Sequence, residues 1–204
     1  MSNTSSQPPT VSSLGFDPEM LGMNGDPGLI FLNGGYPWGL FEANSTGLVL
    51  RVSQPTSRRS ADRAVGQSQA EYAETESYIA PFMAITAFHA IESDLSNAFH
   101  IVEVQEHING VPLPTSLSNH TRVIRPLLQG CIEMYETTHR IPNIARLKDR
   151  YDPLESDHTL VTPGSRVKIL DTTFSDAQRM PVLGVMVNER IAHNAQAILD
   201  SRNR

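Results

Sequence analysis

The sequence predicts an α+β fold: a small antiparallel sheet with about three or four helices, preceded by an extended N-terminal arm rich in glycine and proline. Three observations lead there. Short β-prone runs (47–52, 101–108, 165–170 and 182–187) alternate with longer stretches of helical periodicity. The last two of these runs, joined by a polar connection, read as a hairpin in a small sheet. The third observation is residues 14–41, LGFDPEMLGMNGDPGLIFLNGGYPWGLF, which hold seven of the thirteen glycines and the only tryptophan. Pro18, Pro27 and Pro37 bar a long helix or a central strand from this stretch.

In chain order, residues 1–13 (MSNTSSQPPTVSS) are uncharged and polar, and read as a flexible tail. Residues 14–46 form the arm, and 47–204 one globular body. The body opens with a strand at 47–52 (GLVLRV) and a loop, QPTSRR. Residues 61–79 are rich in Ala, Glu and Gln and read as a helix, with Val65, Tyr72 and Ile79 as an apolar seam. From Pro81 to about Asn97 the spacing of Ala84, Ile85, Phe88, Ile91 and Leu95 predicts a core helix. A strand at 101–108 (IVEVQEHI) and an Asn109-Gly110 turn follow. Residues 118–138 predict a second helix, with Ile124, Leu127, Leu128, Cys131 and Tyr135 on one stripe and Pro126 near its start. Residues 141–164 read as a long proline-containing loop, and 165–170 and 182–187 as a hairpin. A helix from Asn188 to about Ser201 closes the chain.

Composition narrows the function classes. A net charge of -6 with pI near 5.6 argues against general adhesion to nucleic acid or to an anionic membrane. Arginine outnumbers lysine by fourteen to two, which reads first as the mark of a GC-rich genome without functional meaning and second as use of the side chain that binds carboxylates bidentately at subunit interfaces. Cys131 is alone, so no intrachain disulfide and no cysteine-based zinc site is expected. The first residues lack the basic start and apolar run of a signal peptide, and no segment has the roughly 18 apolar residues of a membrane helix. The expected setting is the cytoplasm before assembly, or the virion if the chain is viral.

Several constellations suggest chemistry. On a helix His100, Glu103 and His107 would form one metal-binding side, but on a strand the two histidines face opposite ways. Asp149, Asp152, Glu155 and Asp157, with His158 beside them, could hold a divalent cation. They lack the spacing and central glycine of an EF-hand loop, and the interleaved Arg146, Lys148 and Arg150 make a self-neutralised surface loop the preferred reading. Cys131 with His139 has the residue types of a thiol nucleophile and its base, yet the cysteine sits on an apolar stripe. His89 borders the apolar face of the segment after Pro81. Arg51, Arg58, Arg59 and Arg63 make a basic run that reads as a solvated face. The glycines of NGDPG and NGGYPWG have no following Lys-Ser or Lys-Thr of a phosphate loop. The reading assigns no catalytic residue, no metal and no cofactor.

The expected function is therefore mechanical. The chain reads as a structural subunit of a large protein assembly, such as a virus or bacteriophage head, neck, tail or baseplate. Its partners would be other subunits of that assembly, with self-association and without membrane or nucleic acid. The contact residues would be Phe16, Leu29, Phe31, Tyr36, Trp38, Leu40 and Phe41 of the arm, because aromatic anchors dominate interface affinity. The alternatives are a small metal-dependent hydrolase and a monomeric protein-binding adaptor.

Overall fold

The computed structural model describes residues 8–33, 39–113, 120–145, 150–164, 166–171 and 173–201. Among them the fold is α+β, with four α-helices and two antiparallel sheets of five and three strands. The chain divides into two compact units, one made of residues 1–69 and 85–107, the other of 70–84 and 108–204. Tyr36 and Trp38 lie outside the described residues, as do Arg146, Lys148 and Asp149.

The first unit is built on a sheet of order β1-β2-β3-β5-β4. Its strands are β1 (Leu29–Asn33), β2 (Gly39–Ala43), β3 (Leu48–Val52), β4 (Thr86–Ser93) and β5 (Ala98–Glu106), all antiparallel to their neighbours. The segment expected as an arm supplies β1 and β2 and much of this unit's core. Val11, Leu14, Phe16, Leu21, Met23, Leu29 and Phe41 are buried together with Leu50, Ile91 and Val102. Two 3₁₀ turns, Ser12–Leu14 and Glu19–Leu21, each close on a left-handed glycine, which folds the apolar residues back without a long helix. Gly15 is required where it sits: φ is +78°, and a Cβ there would lie 2.5 Å from Ser93 Oγ and 2.7 Å from the Leu95 nitrogen. At that crossing Ser93 Oγ donates to the Leu14 carbonyl (3.0 Å) and the Asp94 N–H donates to the Gly15 carbonyl (2.9 Å). The segment expected as a tail is described from Pro8 on. There Thr10 bridges Gly28, and Val11 is fully buried.

The predicted helix after Pro81 is corrected by the structure: residues 86–93 are β4, paired along its whole length with β5. The helix-like spacing has a specific origin. Residues three apart on a strand point to opposite faces, and Phe88 and Ile91 are both buried, so a strand covered on both sides mimics a helical stripe. Of the other members of that stripe, Ala84 is buried, while Ile85 and Leu95 are 70% and 68% exposed. The β4–β5 connection turns through Asn97 in the left-handed region (φ 49°), whose N–H donates to the Ser93 carbonyl.

Helix α1 (Arg58–Ile79) begins in the first unit and ends in the second. The second unit holds the short sheet β6 (Val111–Pro112), β7 (Thr159–Thr162) and β8 (Arg166–Ile169), with α2 (His120–Thr138), α3 (Asp176–Arg179) and α4 (Pro181–Asp200). The predicted hairpin of 165–170 with 182–187 is also corrected: β8 pairs with β7, which lies inside the expected loop 141–164. Residues 182–187 open α4. A run of six residues that are apolar or glycine has no period that separates strand from helix, and Pro181 at the first helical position favours helix. Gly184 lets α4 approach α3, because a Cβ there would stand 2.1 Å from the Gln178 carbonyl oxygen. The core of this unit joins Ile79, Leu127, Leu128, Cys131, Ile141, Ile191 and Ala195. No described helix is long and apolar enough to cross a membrane.

Candidate interaction surfaces

The candidate metal and catalytic groups are drawn into structural pairings. His100 is fully buried on β5, its Nδ1 2.9 Å from the Ser53 carbonyl and its Nε2 3.0 Å from Ser96 Oγ. A carbonyl only accepts, so Nδ1 carries the proton and Nε2 accepts from the Ser96 hydroxyl. Glu103 faces the other side of the sheet and pairs with Arg51 at 3.2 Å, while His107 Nδ1 lies 3.5 Å from Glu42. Strand alternation thus parts His100 from Glu103 and His107, and the latter two are drawn to different partners.

Among the acidic loop residues, Asp152 accepts from the Leu154 N–H and caps a 3₁₀ turn. His158, buried, stands 3.6 Å from Asp171 and 3.7 Å from Asp157. Asp171 in turn accepts from Asn143 Nδ2 and Thr173 Oγ1, both at 3.0 Å. No group of three His, Cys, Asp or Glu side chains among the described residues is placed to hold a metal ion. Cys131 lies in the second unit's core, where burial pushes its thiol far up, and His139 ends α2 in the left-handed region, edge-on to Tyr135. Arg58 lies over the Phe99 ring and 3.8 Å from Asp62.

A further network has no counterpart in the sequence reading. Glu71, 2% exposed, accepts from Arg179 at both oxygens (3.0 and 2.7 Å) and from the Phe174 N–H (3.0 Å). Arg140 lies 3.6 Å from the same carboxylate, pairs with Glu74, and stacks 3.8 Å over the Phe174 ring. A buried carboxylate with this many donors is compensated for its desolvation, and the network ties α1 to α3 and to the residue Phe174 ahead of it. Its partners stand 66 to 108 residues apart in sequence, so no local pattern announces it.

No family model matches the chain, and no curated protein matches it by sequence.

The exposed apolar groups are what the fold leaves over. Of the seven expected contact residues, Phe16, Leu29 and Phe41 are covered by the first unit's own core. Leu40 is half-buried and Phe31 is 41% exposed, while Tyr36 and Trp38 are outside the described residues. Phe31 stands edge-on to Phe41 at 5.4 Å between centroids. Beside Phe31, Ile30 is 48% and Leu32 47% exposed, so three successive apolar side chains of β1 reach the surface. β1 is the outermost strand of the described order and carries no charge. A second apolar surface, on the second unit, is the first two turns of α4, where Val182, Val185 and Met186 are all more than half exposed.

Proposed function

We propose that this chain is a structural subunit of a large protein assembly, of the kind that builds virus and bacteriophage particles, and that β1 is one surface by which it holds a neighbouring subunit. The observation that carries the reading is the exposure of Ile30, Phe31 and Leu32 on an outer strand without a charged residue. Natural sheets guard such strands with lysine, proline or a covering element; here the Pro9 carbonyl takes the Leu29 N–H at the start of β1, and the side chains of the next three residues stay exposed. Each of the three side chains is about half covered already, so burial against a neighbour would contribute roughly 1 kcal/mol apiece. The particle setting rests on the sequence: an acidic chain of modest size with long proline-containing loops and an uncharged first segment rich in Ser, Thr, Pro and Gln.

The contact thus moves along the arm. Phe16, Leu29 and Phe41 hold the first unit together, and the neighbour meets the residues between them. The test is sedimentation of the native protein in extracts of the cells that make it, beside a variant carrying Ile30→Lys and Leu32→Lys. The parent chain is expected in a species many times its 22.5 kDa mass, and the variant in slow-sedimenting fractions. A parent chain that sediments as a monomer would overturn the reading.

A further inference from the structure

Helix α4 has two sides with different work. Gly184, Val187, Asn188, Ile191 and Ala195 are buried in the second unit. On the other side Val182, Met186, Glu189 and His193 follow one another at steps of four, three and four, which places them in a single stripe. All four are exposed, Val182 at 76% and Met186 at 61%. A surface helix ordinarily turns polar residues outward, and here the first half of the outward stripe is apolar. The second half borders a groove of about 340 Å³ between α2 and α4, whose floor is Ile132, Tyr135 and Ala192 and whose polar lining is Glu136, Glu189, His193 and Gln196. At the near edge of the groove stand Glu189, which lines it, and Arg190, adjacent charges of opposite sign, and among the described residues neither joins an ion pair.

A ridge, a charge pair and a groove in that order on one helix make the surface complementary to itself. An isologous contact asks for this arrangement, because whatever residue i offers the other copy, residue j must receive. We propose that α4 packs antiparallel against α4 of a second copy of this chain, about a two-fold axis that passes between Glu189 and Arg190. In that register each Glu189 meets the partner's Arg190, giving two reciprocal ion pairs that set the alignment. Met186 then falls opposite the partner's His193 and enters the groove beside it, and Val182 covers the partner's Ala197. This deepens the assembly reading, on which it rests, by naming one of the partners.

The test uses the purified full chain, with mass read by sedimentation equilibrium over a range of micromolar concentrations and folding checked by circular dichroism. A species of twice 22.5 kDa is expected. Met186→Glu, Glu189→Arg and Arg190→Glu should each weaken the dimer about tenfold or more. The double variant E189R/R190E should restore it, because the swapped charges again meet their opposites. Ile30→Lys with Leu32→Lys should leave the dimer intact, which separates this contact from the one on β1. A monomeric parent chain, a dimer indifferent to Met186→Glu, or a double swap that fails to restore association would each overturn the proposal. The assembly reading is tested separately, on the native complex.

Discussion

At the scale of single residues, the histidines show how burial and hydrogen bonding settle a role. His100 spends both ring nitrogens on Ser53 and Ser96 and has none left for a metal. His89, on β4, has its Nε2 buried without a hydrogen-bond partner among the described residues, and burial holds the ring's pKa below the ordinary 6.5. The folded state therefore prefers the neutral imidazole. Since the folded pKa lies below the unfolded one, this group costs nothing above pH 6.5, and stability is lost as the pH falls below that value. The thermal midpoint should drop between neutral and mildly acidic pH, and His89→Leu should flatten part of that drop. Equal losses in the parent and the variant would show that the pH sensitivity arises elsewhere.

At the scale of elements, α4 is the instructive case. Its first turns hold Val182, Leu183, Val185 and Met186, all exposed, around a buried Gly184. Glycine in a helix interior normally costs about 1 kcal/mol against alanine, so Gly184→Ala would stabilise an isolated helix. Here the added methyl would meet the Gln178 backbone carbonyl at 2.1 Å, and the backbone of α3 has to move to admit it. Gln178 is itself held by the Ser175 capping box and by donation from its Nε2 to Ile141 and Asn188 at 2.8 Å each, so that movement disturbs a buried network. Overpacking of this kind costs roughly 1–3 kcal/mol, and the net effect should be a lowered midpoint in thermal unfolding. An unchanged or raised midpoint would mean that α3 yields without loss.

For the whole molecule, the division into two units decides how the N-terminal segment should be regarded. Seven of the thirteen buried residues in the first unit's apolar cluster come from residues 11–41. At roughly 1.5–3 kcal/mol for each large side chain, their loss matches or exceeds the stability of about 5–15 kcal/mol typical of a domain. Deletion of residues 1–41 is therefore expected to unfold the first unit, visible as lost sheet signal in circular dichroism and as aggregation. A truncated chain that stayed folded and merely lost its assembly partner would instead make the segment a detachable arm. Interface questions are better put to exposed positions, Ile30 and Leu32 on β1 or Met186 on α4, where the fold has less at stake than at the buried ones.

The residues by themselves determined the α+β class, the helices expected over 61–79 and 118–138 and found at 58–79 and 120–138, the strands expected at 47–52 and 101–108 and found at 48–52 and 98–106, and the apolar setting of Cys131. Each of these shows a local signal: Ala/Glu/Gln-rich helix formers, β-branched runs, or a stripe of one period. Only the tertiary structure decided that Phe88 and Ile91 belong to a strand covered on both faces, that the apolar run after Pro181 is helical, and that the arm is the first unit's own core. In each case the choice turned on what lies across from the segment, and a chain's pattern records which residues seek cover without recording what covers them. The same reason kept the Glu71 network and the outward stripe of α4 out of view: both are defined by groups brought together, or left bare, only when the whole chain has folded.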